Sequence, residues 1–338
     1  CSPKSPILFN KKIFEVFDQK ELDKNISEYH ENIACSVQKI YEEVFFDILD
    51  HIYKKYQIRN LTLSGGCAQN SLANGKITDN SQFENIFVAS NPGDAGGAIG
   101  SAYLSYYNFF REKPKKVSAY LGNEYSETSI SIHIKKHEEV IKQKNCSTYS
   151  FKTEEEVLKF TAKQISLGNI VGWFQGKMEW GPRALGNRSI LADPRNKNIK
   201  EIINLKIKRR ENFRPFAPSI LFEDANEWFE NFSGEEPFMS RVFKFKDDKV
   251  KLVPSVVHLD GTGRLQTVKK DDNLLFYKLI ETFKSLTGVP VLLNTSFNEN
   301  EPIVNKPEQA IDCFLRTKMD LLVMGRKIIY RKEQVSIN

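Results

Sequence analysis

Two segments in the first third of the chain each lead from a short apolar strand through a glycine turn into small residues. The first strand covers 58–63 and runs into Gly65-Gly66, and the second covers 86–89 and runs into the turn at 91–97. The small residues after each turn are compatible with a helix. Strands that alternate with helices favour an α/β fold, in which ligands bind at the ends of the strands.

The length of the chain and the distribution of its polar residues predict two domains. With 338 residues and 40% hydrophobic side chains, the chain has enough apolar material for two cores. Residues 116–150 are rich in Lys, Glu and Ser, so we place a linker region there, between a first domain at 1–115 and a second at 151–338. In the first domain, apolar residues recur every three or four positions over 33–52, which predicts a long amphipathic helix.

Charge and cysteine content narrow the class of protein. Lys and Arg together number 49 and Asp and Glu 43, a small basic excess that suits anionic substrates, a nucleic acid or a membrane surface. The five cysteines form no CxxC pair, so neither a zinc ribbon nor a disulfide framework is indicated, and a reduced, cytoplasmic protein is expected. No apolar run is long enough to cross a bilayer, and we therefore expect no membrane partner.

The two glycine turns are candidate sites for phosphate and metal. Gly65 and Gly66 lack Cβ atoms, so backbone N–H groups and a helix N-terminus can approach a phosphate there, although a paired glycine after a strand is often simply a tight turn. Asp94 lies among glycines, where its carboxylate could reach a metal or a Mg-bound phosphate. A helix N-cap is the alternative interpretation of Asp94.

The second domain concentrates arginines in two neighbouring stretches. The loop 175–189 carries Arg183 directly after a predicted strand, and the stretch 206–215 carries Lys208 and Arg214. Guanidinium groups bind phosphate oxygens through paired hydrogen bonds, each contributing about 1.5–3 kcal/mol. The aromatic and proline residues around Arg214 would pack and carry it toward the interior, where it needs a partner. A solvated basic helix face and a nucleic-acid-binding patch stay open as alternatives.

Two further stretches place polar groups on apolar strands. Residues 257–268 alternate polar and apolar side chains, which predicts one half-buried strand carrying His258 and Arg264. His258 is a candidate acid or base, or a structural histidine. Residues 292–298 end an apolar strand with hydroxyl and amide groups, which suit uncharged polar ligands and phosphates, or a capped turn.

These motifs resemble those of the NodU/CmcH-type O-carbamoyltransferases. The matching stretches are 64–70, 92–96, 175–193, 206–218, 258–268 and 288–304. The resemblance implies a partial actin-like (ASKHA) ATPase-fold lobe followed by a YrdC-like α/β domain. It also implies that the second domain joins carbamoyl phosphate to ATP as carbamoyl-adenylate. The first domain would then transfer the carbamoyl group to a hydroxyl of a sugar or natural-product acceptor.

Roles for individual residues follow from the same resemblance. The pocket for carbamoyl phosphate and ATP is assigned to six side chains, Arg183, Lys208, Arg214, Arg264, Asn294 and Ser296. Gly65, Gly66 and Asn70 are expected to approach the adenylate, and Asp94 matches the metal-ligating aspartate of the family. ATP, Mg and Fe are the implied cofactors.

One departure from the family concerns its N-terminal lobe. Family members carry there an HxxxH motif that supplies two iron ligands, and no such motif precedes Asp94 in this sequence. We therefore expect either a partner chain that supplies this lobe or a shortened protein that activates carbamoyl phosphate without transferring it. Transfer by this chain alone is expected to be poor, and a homodimer is the other expected assembly.

Two other functions stay open at this point. A tRNA threonylcarbamoylation enzyme would use the same two folds, and a basic nucleic-acid-binding module could be built on 206–214. The loops at 179–189 and 294–298 resemble the small-molecule carbamoyltransferases more closely. We therefore expect no nucleic acid among the partners.

Overall fold

The computed structural model describes residues 26–113 and 118–337, which form two units that divide between Gln57 and Ile58. In the first unit, helix α1 spans Glu28–Tyr56. Its C-cap is Gln57, which has a left-handed backbone conformation (φ 54°). This helix confirms the one predicted from the apolar periodicity.

The second unit begins with the two strands predicted before the glycine turns. Its first elements are β1 (Asn60–Leu63), α2 (Ser71–Gly75), α3 (Ile77–Asn80), β2 (Asn85–Val88) and α4 (Gly97–Phe110). Strands β1 and β2 pair in parallel, with Leu61 opposite Ile86. Because both strands run in the same direction, the two glycine turns leave the same edge of this small sheet.

A mixed eight-stranded sheet forms the larger part of the second unit. Its strands are β3 (Cys146–Ser150), β4 (Val171–Phe174), β5 (Arg188–Ala192), β6 (Ala217–Leu221), β9 (Gln266–Val268), β10 (Val291–Ser296), β11 (Leu321–Met324) and β12 (Lys327–Arg331). They lie in the order β3-β12-β11-β4-β5-β10-β6-β9. Strand β10 is antiparallel to both of its neighbours, with Asn294 opposite Leu191 of β5 and Ala217 of β6.

Helices and one further strand pair complete the second unit. The helices are α5 (Glu127–Lys136), α6 (Glu138–Gln143), α7 (Glu154–Ser166), α8 (Ile199–Lys206), α9 (Ala225–Trp228), α10 (Asp247–Val250), α11 (Leu274–Thr287) and α12 (Pro307–Arg316). Strands β7 (Val242–Lys244) and β8 (Thr262–Arg264) form the antiparallel pair. Helices α7 and α11 pack against each other, and α11 buries Phe276 and Phe283 in the core. The predicted α/β class is therefore confirmed. None of the described helices combines the length and apolarity that crossing a membrane requires.

The segment predicted as a linker, 116–150, contains two helices and a strand in its described part. It includes α5 and α6, and β3 pairs with β12 at the edge of the large sheet. Tyr120 forms an isolated antiparallel bridge with Glu179. The domain bounds at 115 and 150 stay a prediction.

The prediction of one continuous strand over 257–268 is wrong. His258 and Thr262 close a turn, in which the His258 N–H donates to the Thr262 carbonyl (2.7 Å). The chain then enters β8, passes Leu265 and continues as β9 in a different sheet. Gly261 adopts φ +79°, a conformation that favours glycine and that the alternation of side chains does not reveal.

Candidate active site

An arginine-lined cavity lies between the loop after β4, the segment after α8, strand β8 and the end of β10. Its volume is about 250 Å³, and its lining residues are Pro182, Arg183, Ala184, Arg210, Arg214, Pro215, Met239, Arg264, Asn294, Thr295 and Ser296. Five of the six side chains predicted to bind carbamoyl phosphate and ATP therefore line one cavity, and Lys208 does not. We call this space the arginine cavity.

The four guanidinium groups of the arginine cavity have few carboxylate partners. Across residues 26–113 and 118–337, Arg214 alone of the four forms a salt bridge, between its Nε and Glu211 Oε2 (2.9 Å). Arg264 Nε is buried and has no hydrogen-bond partner in this part of the chain. Burial, with the nearby Arg183 and Arg210, lowers the pKa of Arg264 to about 9. Cations held together in this way are stabilised by an anionic ligand.

The position of Arg214 differs from the prediction that packing would carry it inward. Its side chain is 51% exposed and forms a salt bridge with Glu211, which is also at the surface. Phe213 is also exposed, and it is Phe216 that packs into the core. Arg214 thus borders the mouth of the arginine cavity from the solvent side.

Arg210 is a cavity residue that the sequence prediction did not assign. Asn204, fully buried on α8, accepts a hydrogen bond from Arg210 Nε (2.8 Å) and donates to the Arg214 carbonyl (3.0 Å). The Arg210 guanidinium also lies over the Phe216 ring, 5.1 Å from its centroid. The basic run 206–214 indicated this residue, but nothing in the sequence distinguishes it from its neighbour Arg209.

A buried carboxylate shapes the loop that carries Arg183. Glu179 Oε1 accepts hydrogen bonds from three backbone N–H groups, those of Leu185 (2.7 Å), Asn187 (2.8 Å) and Arg188 (3.3 Å). The Arg188 side chain is fully buried outside the cavity and stacks on the Phe174 ring at 3.6 Å. Arg188 therefore supports the loop, and Arg183 is the arginine that this loop presents to the cavity.

Asn294 lines the arginine cavity from the centre of the large sheet. Its Nδ2 lies within hydrogen-bonding distance of three acceptors, the Ala184 carbonyl (3.2 Å), Ser219 Oγ (3.0 Å) and Gln266 Oε1 (3.1 Å). Gln266 Nε2 donates in turn to the Leu185 carbonyl (2.9 Å). Asn294 Oδ1 is buried and has no partner among the described residues.

Lys208 lies beneath the cavity wall instead of facing the ligand space. Its Nζ is within hydrogen-bonding distance of both the carbonyl and the hydroxyl of Ser296, and of the carbonyl (2.9 Å) and Oδ1 (2.6 Å) of Asn298. Only 1% of the residue is exposed, and burial lowers the pKa of Lys208 to about 7. Lys208 thus holds the turn that presents Ser296 to the cavity.

The pKa of Lys208 predicts a specific pH dependence of stability. Between pH 7 and the ordinary lysine value of 10.5, the unfolded chain binds a proton that the folded chain does not, so the contribution of Lys208 to stability becomes more favourable as pH rises. We expect the unfolding free energy of the wild type, relative to Lys208→Met, to increase by up to about 1.4 kcal/mol per pH unit in this window. Urea denaturation at several pH values measures it. Exposed Lys206→Met is the control for the same substitution, and a flat difference for Lys208→Met would contradict the prediction.

The residues predicted to contact the adenylate lie at the first glycine turn. The Gly65 N–H donates to the Pro92 carbonyl (2.7 Å), which ties the two turns together. Gly65 has φ +94°, and a Cβ added at Gly65 or Gly66 would meet no atom within 4 Å, so the turn is open. The Asn70 side chain caps α2 by accepting from the Ala73 N–H (3.2 Å). These residues do not line the arginine cavity.

A narrow crevice nevertheless adjoins the glycine turns and the arginine cavity. Ala68 and Gln69 line it on one side and Arg183 on the other. Trp180, in the loop that carries Arg183, donates from Nε1 to the Ala95 carbonyl in the second glycine turn (3.3 Å). Two predicted sites that are far apart in sequence are therefore neighbours in space.

The metal prediction at Asp94 finds no additional support. Asp94 is exposed and begins a short 3₁₀ turn, Asp94–Gly96. In the described ranges, no group of three or more His, Cys, Asp or Glu side chains could hold a metal ion. The assignment of Asp94 stays a prediction.

Comparison with known proteins gives matches along most of the chain. The family model for the carbamoyltransferase C-terminus matches residues 162–331, and the model for the carbamoyltransferase N-terminus matches 6–103. Nodulation protein NolNO of Sinorhizobium fredii is 39% identical over 90% of this chain and 45% of its own length. The 3'-hydroxymethylcephem-O-carbamoyltransferase of Amycolatopsis lactamdurans is 31% identical over 78% of this chain and 47% of its own.

The chain spans about half the length of the curated relatives that it matches. Among solved structures, a P. abyssi Sua5 variant matches 52% of this chain and 47% of its own, with a TM-score of 0.38 and 16% identity.

Proposed function

Because the chain belongs to the carbamoyltransferase family, we propose that its arginine cavity binds carbamoyl phosphate and the phosphates of ATP and forms carbamoyl-adenylate. One observation carries this proposal. Arg183, Arg210 and Arg264 line one cavity without a carboxylate partner in the described part of the chain. A site that gathers cations in this way is suited to a ligand with several anionic oxygens.

The proposed activation proceeds in two steps. Water cleaves carbamoyl phosphate to carbamate and inorganic phosphate. A carbamate oxygen then attacks the α-phosphorus of ATP, the bond from that phosphorus to the β-phosphate oxygen breaks, and pyrophosphate leaves. Negative charge accumulates on the phosphate oxygens in the second step, and preorganised guanidinium groups stabilise it without reorganising. Mg²⁺ would enter with ATP as part of the substrate.

Transfer of the carbamoyl group forms the second half of the proposal. An acceptor hydroxyl attacks the carbonyl carbon of carbamoyl-adenylate, its proton is lost, and AMP leaves. Ala68 and Gln69, which follow the first glycine turn, line the narrow crevice together with Arg183, and the nucleotide is proposed to approach this turn. The acceptor is proposed to be a sugar or natural-product hydroxyl, in line with the relative that is named a cephem O-carbamoyltransferase.

The described residues do not fit an iron site by themselves. Asp94 is exposed, and the described ranges offer no further cluster of His, Cys, Asp or Glu around it. A partner chain, or a part of the protein beyond these residues, is proposed to complete the transferring site.

Two adjacent arginines give a matched test of the proposal. Arg210 faces the cavity, whereas Arg209 Nε pairs with Glu299 Oε1 (2.9 Å). We expect the wild-type chain to release pyrophosphate from ATP in the presence of carbamoyl phosphate and to form carbamoyl-adenylate, detected by mass spectrometry. Arg210→Met should lower the rate about 10- to 100-fold, because it removes charge-assisted hydrogen bonds to phosphate.

Arg209→Met serves as the control for the same change of charge. Its rate should stay within about threefold of the wild type, because Arg209 does not line the cavity and the buried Glu299 keeps its second ion-pair partner, Arg316. Equal effects of the two variants, or pyrophosphate release that ignores carbamoyl phosphate, would show that the cavity has another function.

A further inference from the structure

We propose that Glu211 competes with anionic ligands for Arg214 at the mouth of the arginine cavity. In the structure, the Glu211 carboxylate holds the Arg214 guanidinium, and a phosphate group in the cavity would take the place of that carboxylate. The inference rests on the proposed function, because it requires polyphosphate anions as ligands of the cavity. Glu211 then sets the affinity for these anions without binding them.

Arg214 differs from the other arginines of the cavity in having a carboxylate partner. Its Nε lies 2.9 Å from Glu211 Oε2. Arg183, Arg210 and Arg264 line the same cavity and form no salt bridge within the described part of the chain. Because Arg214 both lines the cavity and touches Glu211, its guanidinium has two alternative partners, the carboxylate and an anion in the cavity.

The ion pair between Arg214 and Glu211 is easily exchanged for another. The two side chains are 51% and 49% exposed. Water and salt weaken an ion pair at such a site, and holding two long side chains in one geometry costs conformational entropy. A phosphate group carries more charge than a carboxylate and offers three acceptor oxygens, so it binds a guanidinium at least as well. Arg214 therefore passes from Glu211 to a ligand at little cost.

The backbone between the two residues is anchored, so the exchange requires only rotation of side chains. The Arg214 N–H donates to the Glu211 carbonyl (3.4 Å), which places the two residues at the ends of one tight turn. Asn204 Nδ2, buried beneath this turn, lies within hydrogen-bonding distance of the carbonyls of Arg214 (3.0 Å) and Asn212 (3.4 Å). The turn thus stays in place while the Arg214 side chain changes its partner.

Glu211 is charged under the conditions in which the cavity would bind phosphate. The backbone N–H of Glu211 and the charges of Arg214 and Arg210 lower the pKa of its carboxyl group. The carboxylate is therefore ionised at neutral pH, the form that holds Arg214. Removal of this charge releases Arg214 for the ligand, so the affinity for anions should increase.

Inorganic pyrophosphate, the product of the proposed activation, is a suitable probe because its binding is measured without turnover. Glu211→Gln keeps the shape of the side chain and removes its charge. We expect this variant to bind pyrophosphate about two- to fivefold more tightly than the wild type in calorimetry without divalent cations, a range that corresponds to the strength of exposed ion pairs.

A second exposed salt bridge provides the matched control. Glu155 on α7 pairs with Lys159 (2.6 Å), and both side chains are exposed. Glu155→Gln makes the same change of charge in the same kind of contact, but Glu155 does not line the arginine cavity. It should leave the affinity for pyrophosphate unchanged.

A double-mutant cycle separates competition for Arg214 from a general repulsion of anions by Glu211. In the Arg214→Met background, the carboxylate has lost the partner for which it competes, so adding Glu211→Gln should change the pyrophosphate affinity by no more than about 1.5-fold. An undiminished gain in this background would show that the charge acts at a distance, and would overturn the inference.

The remaining outcomes also decide between the inference and the proposed function. Equal affinities of the wild type and Glu211→Gln for pyrophosphate would exclude the competition but leave the proposed function standing, because the anion still binds. Weaker binding by Glu211→Gln would show that Glu211 assists the ligand, which also overturns the inference. Absence of pyrophosphate binding by the wild type and by Glu211→Gln would remove the proposed function itself.

Discussion

Replacing Arg264 by methionine is expected to lower the rate of carbamoyl-adenylate formation by about two to three orders of magnitude, the usual effect of removing a preorganised charge-stabilising donor. Arg264 is partly buried and lines the arginine cavity, and it forms no salt bridge among the described residues, so its guanidinium can bind an anionic ligand. Methionine keeps much of the side-chain volume and removes the charge. A lower rate in Arg264→Met would therefore result from the missing charge and not from a change in side-chain volume.

The same substitution should leave the free protein at least as stable as the wild type. Burial and the neighbouring arginines lower the pKa of Arg264, which means that its charged form is disfavoured in the folded protein. Removal of an uncompensated buried charge relieves that cost. Thermal denaturation without ligand, and pyrophosphate release with substrates, measure the two effects. Exposed Lys197→Met is the control for charge and should change neither.

A variant that loses activity and stability together would contradict this account of Arg264. The residue would then be part of the framework of the cavity. Added phosphate should also stabilise the wild type more than Arg264→Met, because a ligand that binds the folded state alone raises its stability. Equal stabilisation of the two proteins would count against phosphate binding by this guanidinium.

Replacing Glu179 by alanine is expected to destabilise the protein by about 3–5 kcal/mol, the cost of breaking a buried charged network. Glu179 Oε1 accepts from the N–H groups of Leu185, Asn187 and Arg188. Burial lowers the pKa of the Arg188 guanidinium to about 10, and the charge of Glu179 offsets part of that effect. Alanine would leave three buried donors and one buried cation without this partner. Activity should fall as well, because the same loop carries Arg183.

A glutamine variant separates the hydrogen bonds of Glu179 from its charge. Glu179→Gln keeps an oxygen at the position of Oε1, so we expect it to lose only about 1–2 kcal/mol. Urea denaturation gives the unfolding free energies, with the exposed Glu201→Ala on α8 as the control. Equal stability of Glu179→Ala and Glu201→Ala would show that the loop is held by other contacts.

Local sequence patterns predicted most of the elements around the site. The strands before both glycine turns, the long helix α1, strand β4 before the loop 175–189 and strand β10 were predicted from periodicity and apolar runs. The stretch 257–268 was not, because a turn closed by Gly261 divides an alternating pattern between two sheets. Alternation indicates which side chains share a face, but it does not show where the backbone reverses.

The sequence by itself determined the chemistry of the cavity, because glycine turns, clustered arginines and polar strand ends are properties of neighbouring residues. Only the tertiary structure decided which side chains face the ligand. Arg209 adopts φ 44°, and around it the chain directs Lys208 under the Ser296 turn and Arg210 into the cavity, while Arg209 reaches Glu299. Three consecutive basic residues thus have three different environments. The direction of each is set by contacts with α8, with β10 or with the turn after β10, which no local pattern contains.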